Sequence, residues 1–380
     1  MTLEEYRQKI DEADSALLRA FCERMEVAAA IAAYKKEHNL PVLDAGRERQ
    51  KLKTIAESAG PEMEDYANVL YALLFELSRA YQGHLLEKTT ELTEKIAQAI
   101  SNTQPLFPPK AQVACQGVEG AYSEAACEKL FRSPSISYFS SFESVFSAIE
   151  SGFCHYGVSP LENSTAGSVN KVYDLMIKHN FYITRSVRIK IDHNLVAPRG
   201  VELKDIKEIV SHEQAISQCS EFLASLPGVK VTCCANTAVA AKMAAESGRT
   251  DLAALCSRNC LELYDLTCLA SGVQNQDNNY TRFICISRNL EIFPGADRTS
   301  IMMVVPNRAG SLYKVLARFY ALNINLIKLE SRPIPNRDFE FMFYFDLDTS
   351  VYSPEFIQLM GDLQTLSEEF KYLGSYSEVI

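Results

Sequence analysis

Two cationic side chains in the first helical stretch are spaced so that they could bind one dianionic ligand. Arg24 and Lys35 lie eleven positions apart, almost three full turns, so both point to one side of the helix, about 16 Å apart along its axis. Arg7 precedes Arg24 by seventeen positions, which at about 100° per residue turns it about 100° away from that face. We therefore expect Arg7 to reach a different site, in a partner subunit.

Polar residues also mark the second and third helical stretches. Asp44, Arg47 and Glu48 open the second, and Ser78 and Gln82 form an i, i+4 pair on the third. Taken singly, such residues are typical of a solvated helix face, so only the set as a whole indicates a site.

As a set, these residues resemble the all-helical chorismate mutase family over residues 1 to about 90. The resemblance is carried by Arg7, Arg24, Lys35 and the runs Asp44-Ala-Gly-Arg47-Glu48-Arg49 and Ser78-Arg-Ala-Tyr-Gln82. It implies an intertwined dimer with shared sites, and a role for each side chain. Arg7, Arg24 and Arg47 would hold the two carboxylates of chorismate, Lys35 and Gln82 would bond the ether oxygen, Glu48 and Asp44 would hold the ring hydroxyl region, and Ser78 would assist a carboxylate.

These residue types suit the implied reaction. The conversion of chorismate to prephenate is a unimolecular rearrangement, which needs no nucleophile and no proton transfer. It needs a compact conformer held in place and donors aimed at the oxygen where negative charge develops. A cage of cations and amides does both.

Four polar segments further along the chain lie at predicted strand ends: 117–123, 160–170, 211–214 and 279–283. A glycine turn at a helix N-terminus, as in the first of them, presents backbone N–H groups to an anion but is common in proteins. Ligands of open α/β sheets bind beyond the carboxyl ends of the strands, so we expect the first three segments to gather at one site.

The motifs Glu162-Asn-Ser-Thr-Ala-Gly-Ser-Val and Thr281-Arg-Phe, with Ser211-His-Glu-Gln, resemble the prephenate dehydratase family over about residues 112 to 288. The resemblance implies two α/β lobes with the site in the cleft between them, an arrangement like that of periplasmic binding proteins. It implies that Thr281 donates to the leaving hydroxyl of prephenate and that Arg282 supplies charge. The cleft would be lined by Asn163, Ser164, Ser211 and Gln214.

The identity of the general acid stays open at this point. Threonine is a poor acid, since effective general acids titrate nearer the working pH. Glu162 and His212 are the physical alternatives, although a lone histidine at a strand end is more often structural. Ala215 stands where a proline usually follows the glutamine in this family, which leaves the local geometry of this corner open.

The C-terminal region carries two further motifs, Arg308-Ala-Gly310-Ser311-Leu312 and Glu330-Ser331-Arg332-Pro333. They resemble the amino-acid-binding signatures of ACT regulatory domains fused to prephenate dehydratases. The resemblance implies an allosteric site for L-phenylalanine formed by Gly310, Ser311, Leu312, Glu330, Ser331 and Arg332. Ser311 replaces the usual alanine, which leaves ligand specificity open, and a domain used only for dimer packing is the alternative.

The elements that must position these residues begin with three predicted helices, from Leu3 to about Glu37, from Asp44 to Ser58 with Asp44 as the cap, and from Glu64 to about Ile100. Turns are predicted at Asn39-Leu40-Pro41 and at Gly60-Pro61. A helix about 50 Å long cannot bury its apolar stripe against one short neighbour, so a second copy of the chain is the expected partner.

Strand-like runs then alternate with helical stretches, which predicts an open α/β sheet built of βα units. The runs are Tyr156–Pro160, Ile206–Ser211, Val229–Ala235, Leu252–Cys256 and Tyr280–Ser287. From Arg298 the order reads strand, helix, strand, strand, helix, strand, the ferredoxin-like pattern. The predicted domains are an all-α module (1–100), a Pro-rich linker (101–110), an α/β module (111–290) and an α+β domain (298–380).

Composition narrows the functional classes. The chain has 380 residues, 47% of them hydrophobic and 23% charged, without an apolar run near the ~18 residues needed to span a membrane. A net charge of −10 argues against a nucleic-acid partner. The acidic start predicts neither a secretory signal nor a transit peptide. The eleven cysteines lack zinc-ligand spacing, so we expect buried, reduced thiols, no metal and a cytoplasmic location.

The sequence therefore predicts a multidomain, bifunctional enzyme of phenylalanine biosynthesis, working as a homodimer or higher oligomer without a cofactor. Chorismate and prephenate are the expected substrates and L-phenylalanine the expected inhibitor. Two alternatives remain: a solute-binding protein, whose two-lobed cleft has the same shape, and a regulatory sensor with one surviving activity. Solute-binding proteins are exported, and a fused mutase-like module disfavours that alternative.

Overall fold

The computed structural model describes residues 2–38, 40–41, 43–86, 90–334, 337 and 340–379. Asn39 in the first predicted turn, and Ile380 at the end of the last domain, lie outside the described residues. The chain forms two compact units, one of residues 1–97 with 303–371 and the other of residues 98–302 with 372–380.

The N-terminal region is helical, with α1 (Leu3–Glu37), α2 (Ala45–Ala59), α3 (Glu64–Leu86) and α4 (Glu91–Asn102). The first two predictions are confirmed, including the cap: the Arg47 N–H donates to Asp44 Oδ1 at 2.9 Å. The prediction of a single third helix is wrong, because α3 and α4 are separate helices. Thr90 accepts from the Thr93 N–H at 3.2 Å, so a fresh N-terminal cap starts α4 although the apolar pattern runs on.

Helix α1 leaves most of its apolar side chains uncovered within one chain. Its buried residues are Ala28 and Ala32, whereas Leu17, Leu18 and Val27 are more than half exposed. This agrees with the expectation that α1 is too long to be covered by α2 and α3.

The second unit contains the α/β elements. The strands are β1 (Gln112–Gln116), β2 (Ser135–Phe139), β3 (Tyr156–Asn163), β4 (Gly167–Ser168), β5 (Tyr182–Lys190), β6 (Asn194–Pro198), β7 (Glu208–Ser211), β8 (Lys230–Cys233), β9 (Leu252–Cys256), β10 (Leu266–Ala270) and β11 (Tyr280–Ser287). The helices are α5 (Tyr122–Leu130), α6 (Phe142–Glu150), α7 (Asn170–Lys178), α8 (Glu213–Gln218), α9 (Ser220–Ala224), α10 (Thr237–Glu246) and α11 (Asn259–Leu263).

These strands form two mixed sheets rather than one open sheet. The first has the order β5-β11-β3-β1-β2, in which β1 is parallel to both neighbours and β11 is antiparallel to β3 and β5. The second has the order β10-β6-β9-β7-β8, with β7 parallel to β8 and β9. Both faces of the second sheet are covered, because Leu252 and Ala254 belong to one core cluster while Ala253 and Leu255 belong to another.

The segment predicted as a linker is packed rather than detached. The Phe107 ring lies 4.9 Å from both the Phe131 and the Phe293 rings, centroid to centroid, and the Arg185 guanidinium lies 4.0 Å from its centroid. Phe107 therefore extends the core cluster that contains Phe131 and Tyr156.

The C-terminal region has the predicted element order: β12 (Arg298–Val304), α12 (Ser311–Ala321), β13 (Asn325–Pro333), β14 (Phe341–Asp348), α13 (Pro354–Leu366) and β15 (Glu369–Val379). Strands β13 and β14 are antiparallel. In the first unit α12 and α13 pack on α3, where buried Arg318 donates to the Glu76 backbone oxygen at 3.2 Å and pairs with Asp362 at 3.3 Å. Burial raises the pKa of Asp362 to about 6.

All eleven cysteines are free. Seven are buried, but Cys22, Cys233 and Cys268 are exposed and Cys234 is half-buried, so the expectation of buried thiols is wrong for these four. No described helix is both long and apolar enough to cross a membrane. Within the described ranges no cluster of three or more His, Cys, Asp or Glu side chains could hold a metal ion.

Candidate active sites

A cavity of about 620 Å³ in the second unit gathers three of the four predicted corners. The loop after β3, helix α8 and the residues before β11 all contribute to its wall. Among the lining residues are Ser164, Thr165, His212, Gln214, Gln218 and Asn279. The second and third corners therefore meet as predicted, joined by the start of the last strand.

Asn163 and Thr281 are in direct contact with each other, and Asn163 donates to Asn279 of the cavity wall, although neither member of the pair is among the described lining residues. They are paired across β3 and β11, and the Asn163 Nδ2 donates to Thr281 Oγ1 at 2.9 Å. Both side chains are buried. Since the Asn163 amide supplies the proton of this hydrogen bond, the hydroxyl proton of Thr281 is directed elsewhere.

The orientation of the Asn163 amide follows from its backbone partners. Its Oδ1 accepts from the N–H groups of Thr165 at 3.0 Å and Ala166 at 2.8 Å. Backbone N–H groups can only donate, so the oxygen must face them and the nitrogen must face Thr281.

The same logic orients a closed ring of four side chains. Asn163 Nδ2 donates to Asn279 Oδ1 at 2.7 Å, and Asn279 Nδ2 donates to Gln218 Oε1 at 3.0 Å. Gln218 Nε2 donates to Thr165 Oγ1 at 2.9 Å, and Thr165 Oγ1 donates back to Asn163 Oδ1 at 2.8 Å. All four bonds run in one direction, an arrangement in which each bond polarises the next. The ring joins the three corners of the cavity.

Arg282 and Glu162 form an ion pair next to this ring. The Arg282 Nε lies 2.8 Å from Glu162 Oε1, and the arginine side chain is only 4% exposed. The two residues face each other across β3 and β11, one position from the Asn163–Thr281 pair. Neither is among the described residues that line the cavity, so the ion pair supports the strands rather than the cavity wall.

The two predicted serines bind backbone groups. Ser211 is fully buried and donates to the Leu255 carbonyl at 2.7 Å, and it is not among the described cavity-lining residues. Its hydroxyl is thus engaged by the second sheet, whereas the hydroxyl proton of Thr281 is not engaged by Asn163. Ser164 does line the cavity, where its hydroxyl donates to the Asn278 carbonyl at 2.8 Å and accepts from the Tyr280 N–H at 2.9 Å.

His212 and Gln214 reach the cavity from the start of α8. His212 is the N-cap of that helix, and its Nδ1 accepts from the Gln214 N–H at 3.2 Å. An accepting Nδ1 places the imidazole proton on Nε2 in the neutral ring.

The first glycine corner lies outside the cavity wall, contrary to expectation. The Gly120 N–H donates to the side chain of Glu124, and the Gly120 carbonyl accepts from Ser257 at 3.1 Å. The anion that meets this turn is thus a carboxylate of the chain itself.

The helical module brings together predicted residues from three helices. Arg24 of α1 donates to the Ser78 hydroxyl and, at 3.1 Å, to the Leu74 carbonyl of α3. Burial lowers the pKa of the Arg24 guanidinium, while Glu48 of α2 opposes this shift. Gln82 is buried, and its Oε1 has no hydrogen-bond partner among the described residues.

The remaining predicted mutase residues are more open to solvent. Lys35 is half-buried, whereas Asp44 and Arg47 are exposed at the start of α2. Arg7 is exposed and pairs with Glu4 at 3.3 Å on its own helix, so one chain does not bring it to Arg24.

Several polar residues of the two sites were not predicted. The hydrogen-bonded ring is closed by Thr165, Gln218 and Asn279, which lie in or beside the recognised motifs. Their spacing along the chain does not show that they contact one another. Arg79 of α3 pairs with both Glu48 and Glu76. No pattern in the sequence singles it out from a solvated charge.

The chain matches two known families: chorismate mutase type II over residues 6–83 and prephenate dehydratase over residues 113–291. It is 31% identical to the bifunctional chorismate mutase/prephenate dehydratase of Enterobacter agglomerans, over 97% of this chain and 94% of the relative. It is 33% identical to arogenate dehydratase/prephenate dehydratase 2 of Arabidopsis thaliana, over 79% of this chain and 80% of the relative.

A solved structure shares the fold of 70% of this chain. It is the prephenate dehydratase from Arthrobacter aurescens in complex with L-Phe, with 27% sequence identity, a TM-score of 0.65, and coverage of 70% of this chain and 89% of that one. The chain therefore belongs to the family of bifunctional chorismate mutase/prephenate dehydratases, which convert chorismate to prephenate and prephenate to phenylpyruvate in phenylalanine biosynthesis.

Proposed function

We propose that prephenate binds in the cavity beside the Asn163–Thr281 pair and that Thr281 donates a hydrogen bond to its leaving hydroxyl. One observation carries this proposal: Asn163 donates to Thr281 Oγ1, so the threonine proton is available to the substrate. Glu162 is engaged by Arg282, which favours Thr281 over that carboxylate. His212 remains the second candidate, because it lines the cavity.

The reaction needs little acid strength from this donor. The carboxylate leaves the ring as CO2, and its bonding electrons enter the ring. The hydroxyl leaves while hydrogen-bonded by Thr281 and takes one proton from solvent to become water. Formation of the aromatic ring drives the departure, so a weak acid such as threonine is sufficient when its hydrogen bond is aimed at the developing charge. Gln214 at the cavity wall is proposed to bind a substrate carboxylate, whereas the Ser164 hydroxyl lines the wall with its proton already on the Asn278 carbonyl.

Arg282 is proposed to support the site without lining the cavity. Its ion pair with Glu162 lies next to the Asn163–Thr281 pair on the same two strands. It would fix the register of those strands and add positive charge near the anionic substrate. The two sheets of the second unit would form the two predicted lobes, with the cavity in their cleft.

For the mutase, we propose that Arg24 and Ser78 bind a carboxylate of chorismate and that Lys35 and Gln82 donate to its ether oxygen. The Arg24–Ser78 hydrogen bond supports the first pairing. The position of Gln82 supports the second, because this residue is buried on α3 one turn after Ser78, and its amide nitrogen would be the donor. Asp44, Arg47 and Glu48 keep their predicted roles at the ring hydroxyl and the second carboxylate.

A homodimer is proposed to complete that site. The exposed apolar residues of α1 support it, as does the position of Arg7, whose solvent-exposed side chain is far along the helix from Arg24. The higher oligomer and the cytoplasmic location stay predictions.

Mixed dimers test whether Arg7 acts in the partner's site. Arg7→Ala and Arg24→Ala subunits are expected to be inactive alone and to regain about one good site per heterodimer when mixed, because each subunit then supplies what the other lacks. Mutase turnover is measured after subunit exchange has been verified. A mixture of Arg24→Ala with Lys35→Ala subunits is the control. It should stay inactive, because both replaced residues lie on the same face of α1. No recovery in the first mixture would mean that Arg7 is not contributed in trans.

The C-terminal region is proposed to be an ACT domain that binds L-phenylalanine and inhibits the dehydratase. Its βαββαβ order supports the assignment, and the Arthrobacter relative is described as a complex with L-Phe. Gly310 caps α12 with a φ of 81°, which lets backbone N–H groups approach a carboxylate. Glu330, half-buried on β13, would meet the ammonium group. Leu312, Ser331 and Arg332 complete the predicted site.

Replacing Gly310 with valine is expected to weaken phenylalanine binding at least about tenfold, because a β-branched residue is strained at positive φ. Calorimetry with Phe, Tyr and Trp on the intact protein measures it, together with inhibition of the dehydratase. Gly228→Val is the matched control, since Gly228 has a φ of 83° and no neighbour that a Cβ would meet, as is true of Gly310. Absence of Phe binding to the parent protein, or equal binding to both variants, would contradict the proposal.

A coupled assay separates this function from the alternatives. Supplying chorismate and measuring prephenate and phenylpyruvate tests both activities on one chain. A solute-binding protein would bind ligand without turnover, and a sensor with one surviving activity would stop at one step.

A further inference from the structure

We propose that His193 is a positioning residue of the dehydratase site, which acts through Gln218 to hold helix α8 against the corners after β3 and before β11. The inference rests on the proposed role of Thr281 at this site. His193 immediately precedes β6 and is 2% exposed. Its Nε2 lies 2.9 Å from Gln218 Oε1.

The neighbours of His193 determine which ring nitrogen carries the proton. Gln218 Oε1 already accepts from Asn279 Nδ2, and an amide oxygen has no proton to give. The His193 Nε2 must therefore be the donor. Nδ1 is then unprotonated in the neutral ring, and it is buried without a hydrogen-bond partner among the described residues. Burial also lowers the pKa of His193, which favours this neutral form.

After Asn279, His193 is the second donor to Gln218 Oε1. This donor matters because the ring of four hydrogen-bonded side chains depends on which way the Gln218 amide faces. If the amide turned over, its nitrogen would face two donors, Asn279 Nδ2 and His193 Nε2. Its oxygen would face Thr165, whose hydroxyl could then bond Gln218 instead of Asn163. With His193 in place, the reversed amide loses the bond from Asn279 and can keep the bond to His193 only if the imidazole proton moves to Nδ1, which has no partner among the described residues.

A change in the orientation of the Gln218 amide would affect the cavity through helix α8. Gln218 is the last residue of that six-residue helix, and its two ring bonds connect the helix to Thr165 and Asn279. The same helix carries Gln214 at the cavity wall. A displaced α8 would shift these groups relative to Thr281, and displacements of about 1 Å can cost about 100-fold in rate.

Three substitutions at this position distinguish a hydrogen-bonding role from a packing role. His193→Leu removes the donor, and we expect dehydratase kcat/KM to fall about 10- to 100-fold while mutase turnover is unchanged. His193→Gln places an amide nitrogen near the former Nε2 position and is expected to recover most of the activity. His193→Asn reaches only the Nδ1 position and is expected to stay as low as leucine.

The control removes a hydrogen bond next to His193 and keeps both the ring contact and the bond from His193 to Gln218. The Tyr122 ring meets the His193 ring edge-on at 6.3 Å, and its hydroxyl donates to the Asp192 carbonyl. Tyr122→Phe is expected to keep near-normal dehydratase activity.

A double-mutant cycle tests whether His193 acts through Gln218. Once Gln218 is replaced by leucine, adding His193→Leu is expected to cost little more, because the lost bond no longer exists. Additive losses would overturn the inference, as would equal activity of the asparagine and glutamine variants or an unaffected leucine variant. If the leucine variant does not fold, the asparagine–glutamine comparison decides alone. Thr281→Ala, measured in the same assay, shows separately whether the proposed function itself holds.

Discussion

Thr281→Ala is expected to stop phenylpyruvate formation while chorismate is still consumed, so that prephenate accumulates. Loss of one donor to a developing charge typically costs about 100- to 1,000-fold in rate. The mutase residues lie in the other compact unit, and mutase turnover should stay at its parent value. Both products are followed in one coupled assay.

Two control variants make this result specific to the threonine proton. Thr281→Ser keeps the hydroxyl and should keep most of the activity. Thr184→Ala removes another buried strand threonine, whose hydroxyl donates to the Cys285 carbonyl at 3.2 Å, and should be near normal. If Thr281→Ala forms phenylpyruvate at the parent rate, the donor is another group, and Glu162 and His212 are next to be replaced.

The sequence identifies the residues of the dehydratase site better than it identifies their connections. Asn163 and Thr281 are predicted at one cleft because each belongs to a specific motif. Their hydrogen bond depends on the register of β3 against β11, which joins residues 118 positions apart. No local propensity encodes that register. The hydrogen-bonded ring also needs Gln218, whose helix α8 follows a strand of the second sheet.

Ser211 shows a different limit of the sequence. The family resemblance and its position at a strand end predict a cleft residue, but successive strand residues face opposite sides of a sheet. Whether the last residue of a strand points into the cleft or into the second sheet depends on the tertiary arrangement, and here its hydroxyl binds the Leu255 carbonyl.

The helical predictions succeeded where the signal is local. The Asp44 cap and the length of α1 follow from residue types and apolar period. The break between α3 and α4 was missed because the apolar period continues across it, and a capping threonine such as Thr90 is also compatible with a helix interior. Arg79 was missed for a similar reason, since only the packing of α2 on α3 brings it to Glu48.

Lys35→Ala is expected to lower mutase turnover about 100- to 1,000-fold, because this ammonium is proposed to donate to the ether oxygen as charge develops on it. Folding should be unaffected, since Lys35 is only half-buried and its removal leaves no cavity in the core. Lys36→Ala is the matched control: the next residue of the same helix is exposed and should leave turnover unchanged. The chemical step transfers no proton, so the parent rate should also be flat with pH near neutrality. Near-normal turnover of Lys35→Ala, with the fold verified by circular dichroism, would show that the ether oxygen is bound by other groups, with Gln82 the first to be tested.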